Sequence, residues 1–101
     1  MPINTKFKQD TNTFVIDISG EFKFDCNLAF RKAMQEITPP MQSIIVNLQN
    51  ADYMDSASLG MLLILRDHAL KNKQNLQIVG AKGIVKKTLE VANFGKLITM
   101  K

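Results

Sequence analysis

Residues 43–63 decide the fold, and they read SIIVNLQNADYMDSASLGMLL. The first part, residues 43–48, is a short run rich in β-branched residues in which apolar and polar residues do not alternate. Such a run is typical of a strand that is covered on both faces, so we place it at the centre of a sheet. Residues 49–55 are predicted to form a polar loop, and an apolar helix is predicted from Ser56 to about Asn72.

The rest of the chain alternates strands and helices around this stretch. In chain order, the other predicted elements are strands over residues 5–8 and 13–19, a helix capped by Asp25, a strand over residues 76–80, a helix from Ile84, and a last strand over residues 97–99. The first helix has an apolar stripe of Cys26, Phe30, Ala33 and Ile37, and it should end before Pro39-Pro40. The order β-β-α-β-α-β-α-β implies right-handed crossovers and a largely parallel α/β sheet, which the first hairpin makes mixed.

Composition narrows the possible functions. The chain has 101 residues, of which 46% are hydrophobic and 22% charged, so we expect residues 1–101 to form one globular domain. Cys26 is the single cysteine, which excludes an intramolecular disulfide and a cysteine-cluster zinc site. His68 is the single histidine, so the usual metal and triad arrangements lack a second imidazole. We expect no enzymatic activity, no metal and no cofactor.

The charge and hydropathy patterns indicate a cytoplasmic protein. No apolar run reaches the ~18 residues that span a bilayer, and no apolar run follows the N-terminal charge as in a secretory signal, so we expect no membrane insertion. The formal net charge is +4, and seven of the thirteen basic residues follow residue 70. They form a solvated surface or attract an acidic patch of a partner, and no nucleic acid is expected.

The motif DSASLG, residues 55–60, places an acid and two hydroxyls where a strand turns into an apolar helix. Capping is the default role for such residues, with Asp55 or Ser56 accepting hydrogen bonds from the free amides of the first turn. The same helix N-terminus has the positive end of the helix dipole, so it can also hold an anion, including a phosphate attached to serine.

This motif resembles the signature of the STAS domain, a family named after sulfate transporters and anti-sigma factor antagonists. Its stand-alone members are bacterial anti-anti-sigma factors. The resemblance extends to ISGEF (residues 18–22), IVNL (45–48) and LQIVG (76–80), and it covers nearly the whole chain. It implies a single STAS-like domain with a mixed, mostly parallel sheet of about five strands packed by helices.

The resemblance also implies a mechanism called partner switching. The unmodified domain binds an anti-sigma factor or a related serine kinase, and phosphorylation of a motif serine by that kinase releases it. A metal-dependent serine/threonine phosphatase then restores the unmodified form, which is a monomer when free. The alternative is a STAS subunit of a membrane transport complex that is not phosphorylated.

The motif departs from the common family pattern of Asp-Ser, then Ser or Thr, then Gly-Leu, in which the second hydroxyl is the usual acceptor. Ala57 occupies that position here and Ser58 occupies the glycine position. Ser56 is therefore the predicted phosphorylation site, Ser58 is the second choice, and loss of phosphorylation is a third possibility. The predicted partner-binding residues are Phe24, Tyr53, Met54, Asp55, Ser56, Ala57, Ser58 and Met61.

One face of the long helix has two interpretations. This face consists of Ala57, Met61, Ile64 and His68, at spacings of four, three and four. Core packing is the default because the whole helix is apolar. If the face is exposed instead, its methionine would suit adaptable docking of a partner.

Overall fold

The computed structural model describes residues 2–38 and 40–101. Its strands are β1 (Ile3–Lys8), β2 (Thr13–Phe22), β3 (Ser43–Met54), β4 (Asn75–Val79) and β5 (Thr99–Met100), and its α-helices are α1 (Asn27–Gln35), α2 (Ser56–Lys71) and α3 (Gly83–Val91). Two 3-10 turns lie at Phe24–Cys26 and Phe94–Lys96. The predicted order of strands and helices is confirmed. The first helix was predicted to end before Pro39-Pro40, and α1 ends at Gln35. Pro39 lies outside the described residues.

The five strands form one mixed sheet in the order β1-β2-β3-β4-β5. β1 is antiparallel to β2, and the other neighbours are parallel. Because the strands follow one another in chain order, crossovers of the usual right-handed sense bring all three helices to the same face. This geometry confirms the α/β fold class and the central place of β3.

β3 is buried on one face only, so the prediction that it is covered on both faces was wrong. Ile44, Val46 and Leu48 point into the core and are fully buried, whereas Ile45 is only half-buried on the other face. Ile45 pairs with Val15 of β2 there, and no helix crosses that side when every crossover has the same hand. The apolar run therefore reflects pairing with neighbouring strands as well as burial.

β3 is also longer than predicted, because residues 49–54 continue the strand instead of forming a polar loop. This extension pairs with the second half of β2, and the register shifts between Asp17 and Ser19 and again between Gly20 and Glu21. Ala51 and Met54 are the buried residues of the extension. The extra strand length carries the start of α2 to the turn that follows β2.

The predicted stripe of α1 is buried, but its predicted cap is wrong. Asp25 lies inside the 3-10 turn, and Cys26 occupies the N-cap position of α1 without a side-chain cap. The 3-10 turn moves the start of the helix past Asp25. The Cys26 thiol is buried and donates a hydrogen bond to the Glu21 carbonyl at 3.5 Å, as expected of a small core residue.

Gly80 ends β4 at a position where a side chain has no room. Its φ is +77°, and a Cβ atom would lie 2.9 Å from Gln49 Cβ and 3.0 Å from Gln49 Cα.

We predict that Gly80→Ala lowers the free energy of unfolding by about 2 kcal/mol, because the residue would be strained and would push against backbone. Gly60→Ala is the control: a Cβ there meets nothing within 4 Å, and alanine is the better helix former. Urea denaturation followed by circular dichroism measures both, and an unchanged Gly80→Ala midpoint would contradict the prediction.

Candidate functional site

Asp55 caps α2 through a reciprocal pair of hydrogen bonds with Ser58. The Ser58 amide donates to Asp55 Oδ1 at 2.9 Å, and the Asp55 amide donates to Ser58 Oγ at 3.0 Å. The Ser58 hydroxyl in turn donates to the Asp55 carbonyl at 2.7 Å. This is a capping box, so of the two candidate caps the structure selects Asp55.

The second carboxylate oxygen of Asp55 holds another part of the chain. Asp55 Oδ2 accepts a hydrogen bond from the Phe24 amide at 3.1 Å, across 31 residues of sequence. Burial raises the pKa of Asp55, but the hydrogen bonds from the Ser58 and Phe24 amides outweigh this effect, and its pKa lies below the usual 3.8. The ionised carboxylate thus joins the turn after β2 to the start of α2.

The two motif serines have opposite environments. Ser58 is fully buried, and its hydroxyl is used in the capping box. Ser56 is exposed at the first position of α2, and no hydrogen bond to its hydroxyl is seen within residues 2–38 and 40–101. An exposed hydroxyl at this place can receive a phosphoryl group without breaking a native contact.

The other predicted contact residues divide between surface and core. Phe24, whose amide donates to Asp55, is 65% exposed, and Tyr53, two residues before Asp55, is 40% exposed. Ala57 is half-buried. Met54 is buried because β3 extends this far, so its predicted place in a polar loop was wrong. The buried Ser58 presents no surface to a partner.

The Ala57–Met61–Ile64–His68 face of α2 is only partly core. Met61 is buried, whereas Ile64 is 58% exposed, so uniform core packing was wrong for this face. A mostly apolar groove of about 550 Å³ is lined by Met61, Ile64 and His68 of this face together with Phe30 and Met34 of α1. The face is thus buried at Met61, half-buried at Ala57 and His68, and exposed at Ile64.

A second groove contains residues that sequence reasoning missed. It has a volume of about 440 Å³ and runs between α2 and α3, with Ser56 at its edge; its other lining residues include Leu59, Ile84, Lys87, Thr88 and Val91. Val91 is 75% exposed and Ile84 is 55% exposed. Ile84 and Val91 are seven residues apart, and neither belongs to the buried face of α3 that Val85 and Leu89 form. This spacing in the sequence could have indicated a second apolar face on the helix.

The described residues offer no metal centre and no spanning helix. Within them, no three histidine, cysteine, aspartate or glutamate side chains come together as metal ligands would. None of the helices in the described part of the chain has both the length and the apolar character that crossing a bilayer requires.

Comparison with known sequences identifies the family. The model of the family described as Mlab, STAS domain, matches residues 5–99. A STAS-domain containing protein of Pseudomonas aeruginosa (strain UCBPP-PA14) is 35% identical over 97 residues, which are 96% of this chain and 96% of the relative.

Solved structures share the fold at low sequence identity. A candidate anti-sigma factor antagonist from Thermotoga maritima superposes with a TM-score of 0.84 at 15% identity, covering 97% of this chain and 84% of that one. The Bacillus anti-sigma factor antagonist SpoIIAA, in its unphosphorylated form, has a TM-score of 0.73 at 19% identity, covering 98% and 86%. A sulfate transporter family protein from Wolinella succinogenes has a TM-score of 0.76 at 14% identity, covering 90% and 73%. At these identities the likeness shows the fold alone.

We predict that Asp55→Asn lowers the free energy of unfolding by about 1 kcal/mol at pH 7, because an amide can accept from Ser58 but loses the charged contact with Phe24. The pKa of Asp55 is lower in the folded chain than the usual 3.8. The carboxylate therefore stabilises the fold above pH 3.8, and this stabilisation is lost as the pH falls through the folded pKa. The difference in free energy of unfolding between Asp55→Asn and wild type should become smaller below pH 4.

Asp25→Asn is the matched control, because Asp25 is exposed and caps no helix. Urea denaturation at pH 7 and at pH 3 measures the gap for both variants. A gap for Asp55→Asn that stays constant over this range would contradict the role of the ionised carboxylate.

Proposed function

We propose that this chain, which belongs to the STAS domain family, is an anti-anti-sigma-type regulator controlled by phosphorylation of Ser56. When unmodified, it binds an anti-sigma factor or a related serine kinase, and phosphorylation by that kinase releases it. The single observation that carries the proposal is the contrast between an exposed Ser56 and a Ser58 that is buried in the capping box. A kinase can reach only the first of these hydroxyls without unfolding the start of α2.

The physical basis is that one added charge acts differently in the free and the bound protein. A phosphate adds about 1.5 to 2 negative charges at pH 7. In the free protein, the N-terminus of α2 and the surrounding water tolerate this charge. In a complex, the exposed Phe24 and Tyr53 beside Ser56 would face the partner, and a buried phosphate there meets a large desolvation cost. Binding should therefore weaken on modification.

The fold likeness to SpoIIAA supports this reading, because that protein is known in unphosphorylated and phosphorylated forms. Under this proposal the chain is a substrate of enzymes and not itself a catalyst. A metal-dependent serine/threonine phosphatase resets it, and it acts in the cytoplasm as a monomer when free. The predicted contact surface then comprises Phe24, Tyr53, Asp55, Ser56 and Ala57, with the parts of Met54 and Met61 that line the two grooves.

A second candidate function is a structural subunit of a membrane transport complex. Two observations favour it: Ala57 replaces the hydroxyl that is the usual acceptor of the family, and a sulfate transporter family protein shares the fold. In this case the same exposed surface would bind a transporter subunit, and Ser56 would not be modified. Co-purification with a nucleotide-binding transporter subunit, unaffected by Ser56→Glu, would support this candidate over the first.

We predict that the cognate serine kinase transfers one phosphoryl group from ATP to Ser56. The kinase to test is one whose gene is adjacent to the gene for this chain. Intact-mass and peptide mass spectrometry should place the phosphoryl group on Ser56, and Ser56→Ala should remove it. Because the Ser56 hydroxyl is outside the capping box, Ser56→Ala should keep the wild-type unfolding midpoint.

Ser58→Ala is the matched control. It removes one half of the capping box and should cost about 1 kcal/mol of stability, yet it should still be phosphorylated at Ser56. Modification of Ser56→Ala at the wild-type level, or loss of modification in a folded Ser58→Ala, would contradict the assignment.

A further inference from the structure

The groove between α2 and α3 combines an apolar floor with one positive charge. Lys87 is exposed and lines the groove together with Ser56, from the facing helix. In the described part of the chain Lys87 forms no ion pair; the ion pairs found there involve Lys6, Lys23 and Arg66. The carboxylate of Asp55, the acid on the groove, is held by the Ser58 and Phe24 amides.

We propose that Lys87 is the partner of the phosphoryl group on Ser56, so that the modified serine forms an ion pair across the groove between α2 and α3. This inference rests on the proposed function and specifies how that site is regulated. A lysine ammonium and a phosphate form a strong charge-assisted hydrogen bond, and Ser56 and Lys87 line the same groove of about 440 Å³ from facing helices.

The pair would change what the groove can bind. Without phosphate, the groove presents the exposed side chains of Ile84 and Val91 next to an unneutralised lysine. With phosphate, a hydrated ion pair lies over this apolar surface, and a partner would have to desolvate both charges to reach it. Release on phosphorylation then results from occupation of the groove as well as from the desolvation cost of the phosphate.

Two other cations near this place serve as comparisons. Lys23 lies in the turn after β2, next to Phe24, whose amide donates to Asp55, and the Lys23 ammonium pairs with Glu21 Oε1 at 3.3 Å. Lys86 is the sequence neighbour of Lys87 and is equally exposed, but it lines a different groove together with Glu90 and Lys96. Among the described residues, the charged side chains that line the groove with Ser56 are Asp55 and, from the neighbouring helix, Lys87.

The test is a phosphorus NMR titration of full-length chain in which phosphoserine is incorporated at position 56 during synthesis. A nearby ammonium stabilises the phosphate dianion, so Lys87 should lower the second pKa of the phosphate. In the absence of such contacts this pKa is about 6. Lys87→Gln should raise the titration midpoint by about half a pH unit. Lys86→Gln should leave the midpoint within about 0.1 unit of wild type, and 0.5 M salt should shrink the Lys87 effect.

The outcomes are separable from those of the proposed function, because the phosphate is installed without a kinase. A midpoint that moves with Lys87→Gln and not with Lys86→Gln supports the pair. A midpoint unmoved by Lys87→Gln, or one that moves with Lys23→Gln instead, overturns it. Failure of the kinase to modify Ser56 would count against the proposed function alone. All three lysines are at the surface, so each variant should fold, and circular dichroism is the measurement that checks this.

Discussion

The carboxylate of Asp55 is the contact on which the arrangement of the site depends. One oxygen accepts from the Ser58 amide at the start of α2, and the other accepts from the Phe24 amide in the turn after β2. Two segments 31 residues apart are thereby held side by side. Because Ser58 completes the capping box, its hydroxyl is taken up by structure and Ser56 is left at the surface. The same interactions that begin the helix therefore separate the structural serine from the available one.

Much of the fold could be predicted from local patterns, since strand and helix order, the stripe of α1 and the start of α2 depend on residues that are close in sequence. The extension of β3 could not, because it depends on β2 shifting register near Gly20, and the mostly polar residues 49–52 indicate a loop when they are considered alone. The cap of α1 was assigned to Asp25 for a similar reason. A local rule does not show that a 3-10 turn intervenes, or that the Phe24 amide is already satisfied by Asp55.

The residues of the site also divide into those that could be predicted from local sequence and those that depend on tertiary packing. Asp55, Ser56 and Ser58 were identified from the motif, but whether each serine is buried or exposed depends on which hydroxyl enters the capping box. Lys87 and its apolar neighbours on α3 could not be placed beside Ser56 without knowing that the two helices pack on the same face of the sheet. The apolar groove at the Met61–Ile64 face was similarly hidden, because helical periodicity does not say where α1 stops covering α2.

In the proposed mechanism, one phosphoryl group at Ser56 weakens binding to a partner and leaves the fold intact. Isothermal titration calorimetry of the purified partner kinase against unmodified chain, and against chain carrying phosphoserine at position 56, tests it most directly. We expect at least a tenfold weaker affinity for the modified chain, or about 1.4 kcal/mol, with the same circular dichroism spectrum for both forms. Equal affinities of the two forms would contradict it.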